Sequence, residues 1–182
     1  MDSNKYRKLF NREQIAEATH RLGADITTWA GAVLKKTNKQ VLTVPVLRGG
    51  LFFFADLVRE INCSVEVAPL SLQAYKKGQN AEKNDQLQME FEPGIFKDRS
   101  VLLVDDICDS GRSLKGLTER IQTEGAAEVK TAVLIHREQR PEVFTPNWVG
   151  MQYGGEEWFV GYGMDDCDFY RNSPDVYIII RK

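Results

Sequence analysis

The sequence predicts an α/β fold, a parallel, Rossmann-like sheet of about five strands with flanking helices, a mobile lid loop and a small irregular subdomain. Three observations lead there. Apolar runs of strand length alternate with stretches of helical periodicity, the pattern of βαβ units. Val101-Leu-Leu-Val104, bounded by Arg99-Ser100 and Asp105-Asp106, is continuously apolar, as a strand buried on both faces should be. Behind it, Asp109-Ser-Gly-Arg-Ser113 opens a helix whose Leu114, Leu117 and Ile121 recur at helical spacing up to a stop at Gly125.

The remaining elements follow in order. Asn11 or Arg12-Glu13 starts an amphipathic helix running to Lys36 through Ile15, Ala18, Leu22, Ile26, Trp29 and Val33. Val41 to Val46 reads as a core strand, Leu51 to Ile61 as a helix rich in Phe52, Phe53 and Phe54, and Val65 to Leu70 as a second strand. From Ser71 to Glu92 the chain turns polar, and Lys76-Lys-Gly-Gln-Asn80 and Lys83-Asn-Asp85 carry no apolar period. Long loops of this kind in compact domains are often lids. Val129 to Ile135 is a further strand. Beyond it Pro141, Pro146, Gly154-Gly155 and several aromatics suggest a small, irregular subdomain before a last strand, Val176 to Ile180. A single domain spans 1–182, with a core of about 37–137.

Composition narrows the function. The chain has 182 residues, 42% of them hydrophobic, enough for one α/β core and a modest appendage. A formal charge of −2 offers no basic stripe for general nucleic-acid binding, so a small anion met by local charges is the expected partner. Cys63, Cys108 and Cys167 are odd in number and widely spaced, which suits a reducing compartment and neither a disulfide framework nor a zinc site. The start, Met1-Asp-Ser-Asn-Lys-Tyr-Arg-Lys8, lacks an apolar signal region, and no stretch has the length of a membrane span. A cytoplasmic protein without membrane association is expected.

The residues around β-strand Val101–Val104 carry chemistry. Asp105 and Asp106 fall where that strand is expected to end, the edge at which open α/β sheets bind ligands. Adjacent carboxylates accept from the vicinal hydroxyls of a ribose, directly or through a metal. Asp109 is left for proton transfer. Ser110 and Ser113 supply hydroxyl donors, Gly111 allows close approach, and the free N–H groups of a helix start can hold a phosphate. For an Asp-Asp pair alone, a plain strand-turn-helix with Ser110 or Ser113 as N-cap serves as well. A P-loop is excluded, because the first glycine of G-x-x-x-x-G-K-[ST] would have to sit at Asp106.

The whole run Val101 to Ser113 resembles the phosphoribosyl-pyrophosphate signature of the type I phosphoribosyltransferases: four apolar residues, two acids, two apolar residues, Asp, Ser/Thr, Gly, any residue, Ser/Thr. From about Val41 onward the chain is most similar to the hypoxanthine-guanine branch of that family. Val46-Leu-Arg-Gly-Gly50, followed by Phe53-Phe-Ala-Asp-Leu57, resembles its pyrophosphate loop, implying that Leu47, Arg48 and Gly49 hold the diphosphate and that Leu47-Arg48 is a cis peptide. Leu72-Gln-Ala-Tyr75 resembles the lid, with Ala74 for the usual serine and Tyr75 remaining. Val129 to Arg137 resembles the strand ending in a base-reading lysine. Arg137 stands there instead, a planar fork able to reach both O6 and N7 of a purine. Trp158 to Arg171 resembles the hood that covers the base. By position Trp158 stacks on the purine, Phe159 lies at its edge, Asp165 serves base and metal, and Arg171 serves pyrophosphate.

The resemblance implies transfer of a phosphoribosyl group to hypoxanthine or guanine. Asp109 and Tyr75 would be catalytic, Asp105 and Asp106 would bind ribose, and Asp109, Ser110, Gly111, Arg112 and Ser113 would hold the 5′-phosphate. Mg²⁺ is the implied cofactor, with Asp105, Asp106 and Asp165 as its ligands, and a homodimer or homotetramer the implied assembly. The hood would come from residues 138–175 and from the amino-terminal segment. Alternatives are xanthine or a pyrimidine as the base, or a regulator that kept the fold to bind RNA or DNA.

Overall fold

The computed structural model describes residues 2–68, 71–73, 88–138 and 143–180. Its centre is the expected five-stranded parallel sheet. Strands β2 (Leu42–Pro45), β3 (Glu66–Val67), β6 (Ser100–Cys108), β7 (Glu128–Arg137) and β8 (Trp148–Tyr153) lie in the order β3-β2-β6-β7-β8. Every neighbouring pair is parallel. From β2 the chain order runs outward to β3, and from β6 it runs the other way to β7 and β8. The β2/β6 junction is therefore the topological switch point, where sheets of this kind open a ligand crevice.

Strand periodicity sorts β6 between two layers. Leu102 and Val104 pack on one face with α1 (Arg12–Thr37) and α2 (Leu51–Glu60), while Val101 and Leu103 pack on the other with Leu114, Leu117 and Ile121 of α3 (Arg112–Thr123). Helix α1 begins as expected. Asn11 accepts from the Gln14 amide at 2.9 Å and Gln14 Oε1 accepts from the Asn11 amide at 2.9 Å, a reciprocal cap. In α2, Phe53, Phe54 and Leu57 are buried and Phe52 faces out, so only part of the phenylalanine run is core.

Four differences from the sequence reading matter for the site. Strand β6 does not stop before the acids but carries Asp105 and Asp106 within it, because β7 continues the ladder to Cys108 opposite His136 and satisfies the backbone whatever the side chain. β3 is only two residues long and exposed, with 69–70 outside the described residues. Gly111, at φ 77, caps α3 without any side-chain hydrogen bond, so neither Ser110 nor Ser113 is the N-cap. A Cβ at Gly111 would stand 2.6 Å from the Phe144 carbonyl oxygen. Finally, β8 comes from beyond Arg137, from the stretch read as irregular, and completes the central sheet.

A second sheet is antiparallel: β1 (Tyr6–Phe10), β10 (Val176–Ile179) and β9 (Phe159–Val160), in the order β1-β10-β9. It joins the amino-terminal segment to residues after Arg137, the two stretches named above as sources of a hood. Strands β4 (Ser71–Gln73) and β5 (Gln88–Glu90) pair antiparallel at the base of the polar segment, whose residues 74–87 lie outside the described ones. Among the described residues no helix is long and apolar enough to cross a membrane.

Candidate active site

β2 ends at Pro45, opposite Val104, while β6 runs on to Cys108. The turn 46–50 fills the gap: the Val46 amide donates to the Val104 carbonyl at 2.8 Å, and a Cβ at Gly49 would overlap the Asp106 carboxylate. Only a glycine allows this approach of backbone to carboxylate. The expected cis peptide is present at Leu47-Arg48. Gly49 is thus brought against Asp106, in one turn with Leu47 and Arg48.

Asp105 is buried, and its Oδ1 accepts from the Asp106 amide at 2.9 Å; Asp106 Oδ1 accepts from the Ile107 amide at 2.9 Å. Burial pushes both carboxyls above the usual carboxylate range, Asp105 well above it, and the neighbouring Asp106 charge adds to the shift at Asp105.

Beyond them the chain turns into Asp109 to Ser113. A cavity of about 130 Å³ is lined by Asp105, Ile107 and the run Cys108 to Leu114, directly over the uncapped amino end of α3. Aligned N–H groups without side-chain acceptors are a ready anion site.

A second cavity, of about 190 Å³, adjoins the acids and gathers Asp106, Asp109, Arg137, Trp158, Asp165 and Arg171 with Ile107, Phe159 and Met164. Arg137, at the end of β7, is 5% exposed. Its Nε donates to Asp109 Oδ1 at 2.5 Å, Nη1 donates to the Gly155 carbonyl and Nη2 to the Glu157 carbonyl at 3.0 Å. The guanidinium lies 4.3 Å from the centroid of the Phe159 ring. Phe159 is therefore a buried support beneath the cation, whereas Trp158 is 58% exposed and free to offer a ring face, its Nε1 donating to the Asp165 carbonyl at 2.7 Å. Asp165 pairs with Arg171 at 2.5 Å and accepts from the Asp168 amide at 2.7 Å.

Asp168 escaped the sequence reading, yet it accepts from Arg48 at 2.9 Å and stands 3.4 Å from Arg171. It links the two arginines expected at the pyrophosphate. The acidic run Asp165-Asp-Cys-Asp168 was its only signal. Tyr75 and Ala74 lie outside the described residues. Among the described residues no three or more His, Cys, Asp or Glu side chains form a metal cluster. A larger hollow of about 460 Å³, which includes Arg12, Asp56, Arg59 and Tyr162 in its lining, contains none of the expected residues.

Comparison with known proteins shows the family. Residues 12–166 match the family model of the phosphoribosyl transferase domain. The hypoxanthine-guanine phosphoribosyltransferase of Lactococcus lactis is 31% identical over 94% of this chain and 89% of its own, and the hypoxanthine phosphoribosyltransferase of Haemophilus influenzae 30% over 90% and 89%. A crystal structure of a Staphylococcus aureus hypoxanthine phosphoribosyltransferase superposes with a TM-score of 0.82 at 25% identity, covering 99% of this chain and 96% of that one. A Bacillus anthracis hypoxanthine-guanine phosphoribosyltransferase superposes at 0.76 with 26% identity, covering 95% and 97%. The family model spans the acid pair, the start of α3 and Arg137, and by that match and its 31% identical relative the chain belongs to the phosphoribosyltransferase family, in the hypoxanthine-guanine branch.

Proposed function

We propose that this protein salvages 6-oxopurines: it joins hypoxanthine or guanine to the ribosyl group of phosphoribosyl pyrophosphate, giving a nucleoside 5′-monophosphate and pyrophosphate. The observation that carries the proposal is the convergence of two cavities on one acid pair, an anion-binding loop to one side and an aromatic, cationic pocket to the other. The relatives named above are called hypoxanthine or hypoxanthine-guanine phosphoribosyltransferases, which supports the choice of base.

In this reading Asp105 and Asp106 accept from the ribose hydroxyls and the amides and hydroxyls of residues 109–113 hold the 5′-phosphate. Leu47, Arg48, Gly49 and Arg171 hold the diphosphate. The purine stacks on Trp158, an interaction of about 1–3 kcal/mol for a base on an aromatic ring. Phe159 backs the pocket. Arg137 presents donors to the 6-oxo group and N7. As N9 attacks the anomeric carbon and diphosphate leaves, the ribosyl ring becomes oxocarbenium-like, and Asp109 takes the purine proton. Tyr75 belongs to a lid that keeps water from the activated sugar.

Mg²⁺ is the proposed cofactor and would offset the charge of the leaving diphosphate. The acid pair suits it: Asp105 and Asp106 offer hard oxygen ligands beside the 46–50 turn, and Asp165, the other candidate ligand, lines the same cavity as Asp106. So few protein ligands suit a cation that keeps waters and substrate oxygens in its shell. We further propose a cytoplasmic homodimer or homotetramer without nucleic-acid or membrane partners, the odd number and wide spacing of the cysteines suiting a reducing compartment. The test is direct. Purified protein with phosphoribosyl pyrophosphate, Mg²⁺ and hypoxanthine or guanine should form the 5′-monophosphate, seen by chromatography. No nucleotide from any 6-oxopurine contradicts the proposal.

A further inference from the structure

Arg137 does more in this pocket than face a base. Asp109 sits on a turn after β6 with its side chain 57% exposed, a setting in which a short carboxylate ordinarily samples several rotamers. Here it is held. The hydrogen bond from Arg137 Nε fixes Oδ1 at 2.5 Å, and among the described residues no hydrogen bond engages Oδ2, the acceptor left for a substrate proton. Arg137 in turn cannot swing, because it is 5% exposed, its Nη1 and Nη2 are tied to the carbonyls of Gly155 and Glu157, and Phe159 lies under its plane. Three acceptors on two segments, the turn at Asp109 and the stretch 155–157, thus share one planar fork.

Resting on the transferase reading above, we infer that Arg137 is the positioning residue for Asp109. It orients the proton acceptor by locking one carboxylate oxygen to the cavity wall formed by residues 155–157, and this role is separate from any contact it makes with the base. A guanidinium has five N–H groups in a fixed plane, so two remain for a ligand while three hold the site together. An ammonium at this position keeps the charge but is a single point, unable to hold the two carbonyls and the carboxylate in one plane. The consequence is a coupling that a pure base reader lacks. Loss of Arg137 should act on turnover through Asp109, and should cost little once Asp109 has lost its function.

A double-mutant cycle reads this directly. Steady-state kcat and KM for hypoxanthine are measured in the wild type, Asp109→Asn, Arg137→Gln and the double variant. The inference predicts that Arg137→Gln lowers kcat by about tenfold or more in the wild-type background and by no more than about twofold in the Asp109→Asn background, a coupling within the range found for residues in contact. Arg137→Lys keeps the charge but not the planar fork, so it should lower kcat by about fivefold or more beside wild-type Asp109 and by no more than about twofold beside Asp109→Asn. This variant, with the buried charge kept, carries the cycle if the glutamine variant does not fold. Equal fold-losses in both backgrounds, or a rise in KM with kcat unchanged, would overturn the inference. Wild-type turnover of hypoxanthine separately reports whether the transferase reading itself holds.

Discussion

Gly49 lies so close to Asp106 that any Cβ at residue 49 would overlap the carboxylate. The turn expected to hold the diphosphate and the acids expected to hold the ribose are therefore one packed unit, and Asp106 is pinned there by its bond to the Ile107 amide. Gly49→Ala should displace one against the other. Because misplacement by about 1 Å can cost about 10²-fold in rate, kcat/KM for phosphoribosyl pyrophosphate should fall by roughly that factor. Thermal melting of the variant, measured alongside, should change far less than activity; unaltered kcat/KM would show that the two segments act independently.

Asp109 lies between the acid pair and the phosphate loop, and it also lines the base cavity. Asp109→Asn should lower kcat by about 10²–10⁴, the usual contribution of a positioned acid-base group, with little change in the KM for phosphoribosyl pyrophosphate. Wild-type turnover in that variant removes Asp109 as proton acceptor.

The metal prediction rests on the charge of the leaving diphosphate and on Asp165 as candidate ligand in the base cavity. Removing Mg²⁺ with excess chelator should abolish nucleotide synthesis, and its return should restore it. Full activity in chelator would mean that Arg48 and Arg171 neutralise the leaving group unaided.

Asp105 makes a prediction about stability. Its carboxyl is raised in the folded protein, so between the ordinary carboxylate value, about pH 4, and the raised one the folded state binds more protons than the unfolded state. Stability attributable to this group therefore falls as pH rises through that window. Asp105→Asn, which keeps an acceptor for the Asp106 amide, should remove the penalty. In ligand-free protein without Mg²⁺, the variant's Tm should exceed the wild-type Tm at pH 7–8, the gap closing toward pH 4. A constant difference across that range would count against a raised carboxyl at 105.

Much of this was legible from residue patterns, and the failures have physical causes. The α1 boundary was readable because the Asn11 and Gln14 cap is local, and β6 and α3 because continuous apolar sequence and a 3–4 spacing are unambiguous there. β8 was missed because Trp148–Tyr153 contains Gly150 and follows Pro146, and its place depends on the ladder with β7 rather than on any local preference. β1 was missed for a similar reason: Tyr6 is buried by its partners, including Asp166, to which its hydroxyl donates at 2.6 Å from 160 residues away. In the site, residue types identified the acids and the loop. The partners of Arg137 were not readable, because two of them are backbone carbonyls, which carry no mark in the sequence.

The most direct measurement is the rate of nucleotide formation from hypoxanthine compared with adenine, under identical phosphoribosyl pyrophosphate and Mg²⁺. Arg137 is the cation at the end of β7 that lines the base cavity, and a guanidinium donates but cannot accept. Hypoxanthine presents acceptors at O6 and N7, whereas the 6-amino group of adenine would set donor against donor. Buried polar sites mismatched in this way discriminate by about 10⁴–10⁵. Hypoxanthine and guanine should therefore be turned over and adenine essentially not. Adenine used as fast as hypoxanthine would contradict the assignment of this pocket to 6-oxopurines.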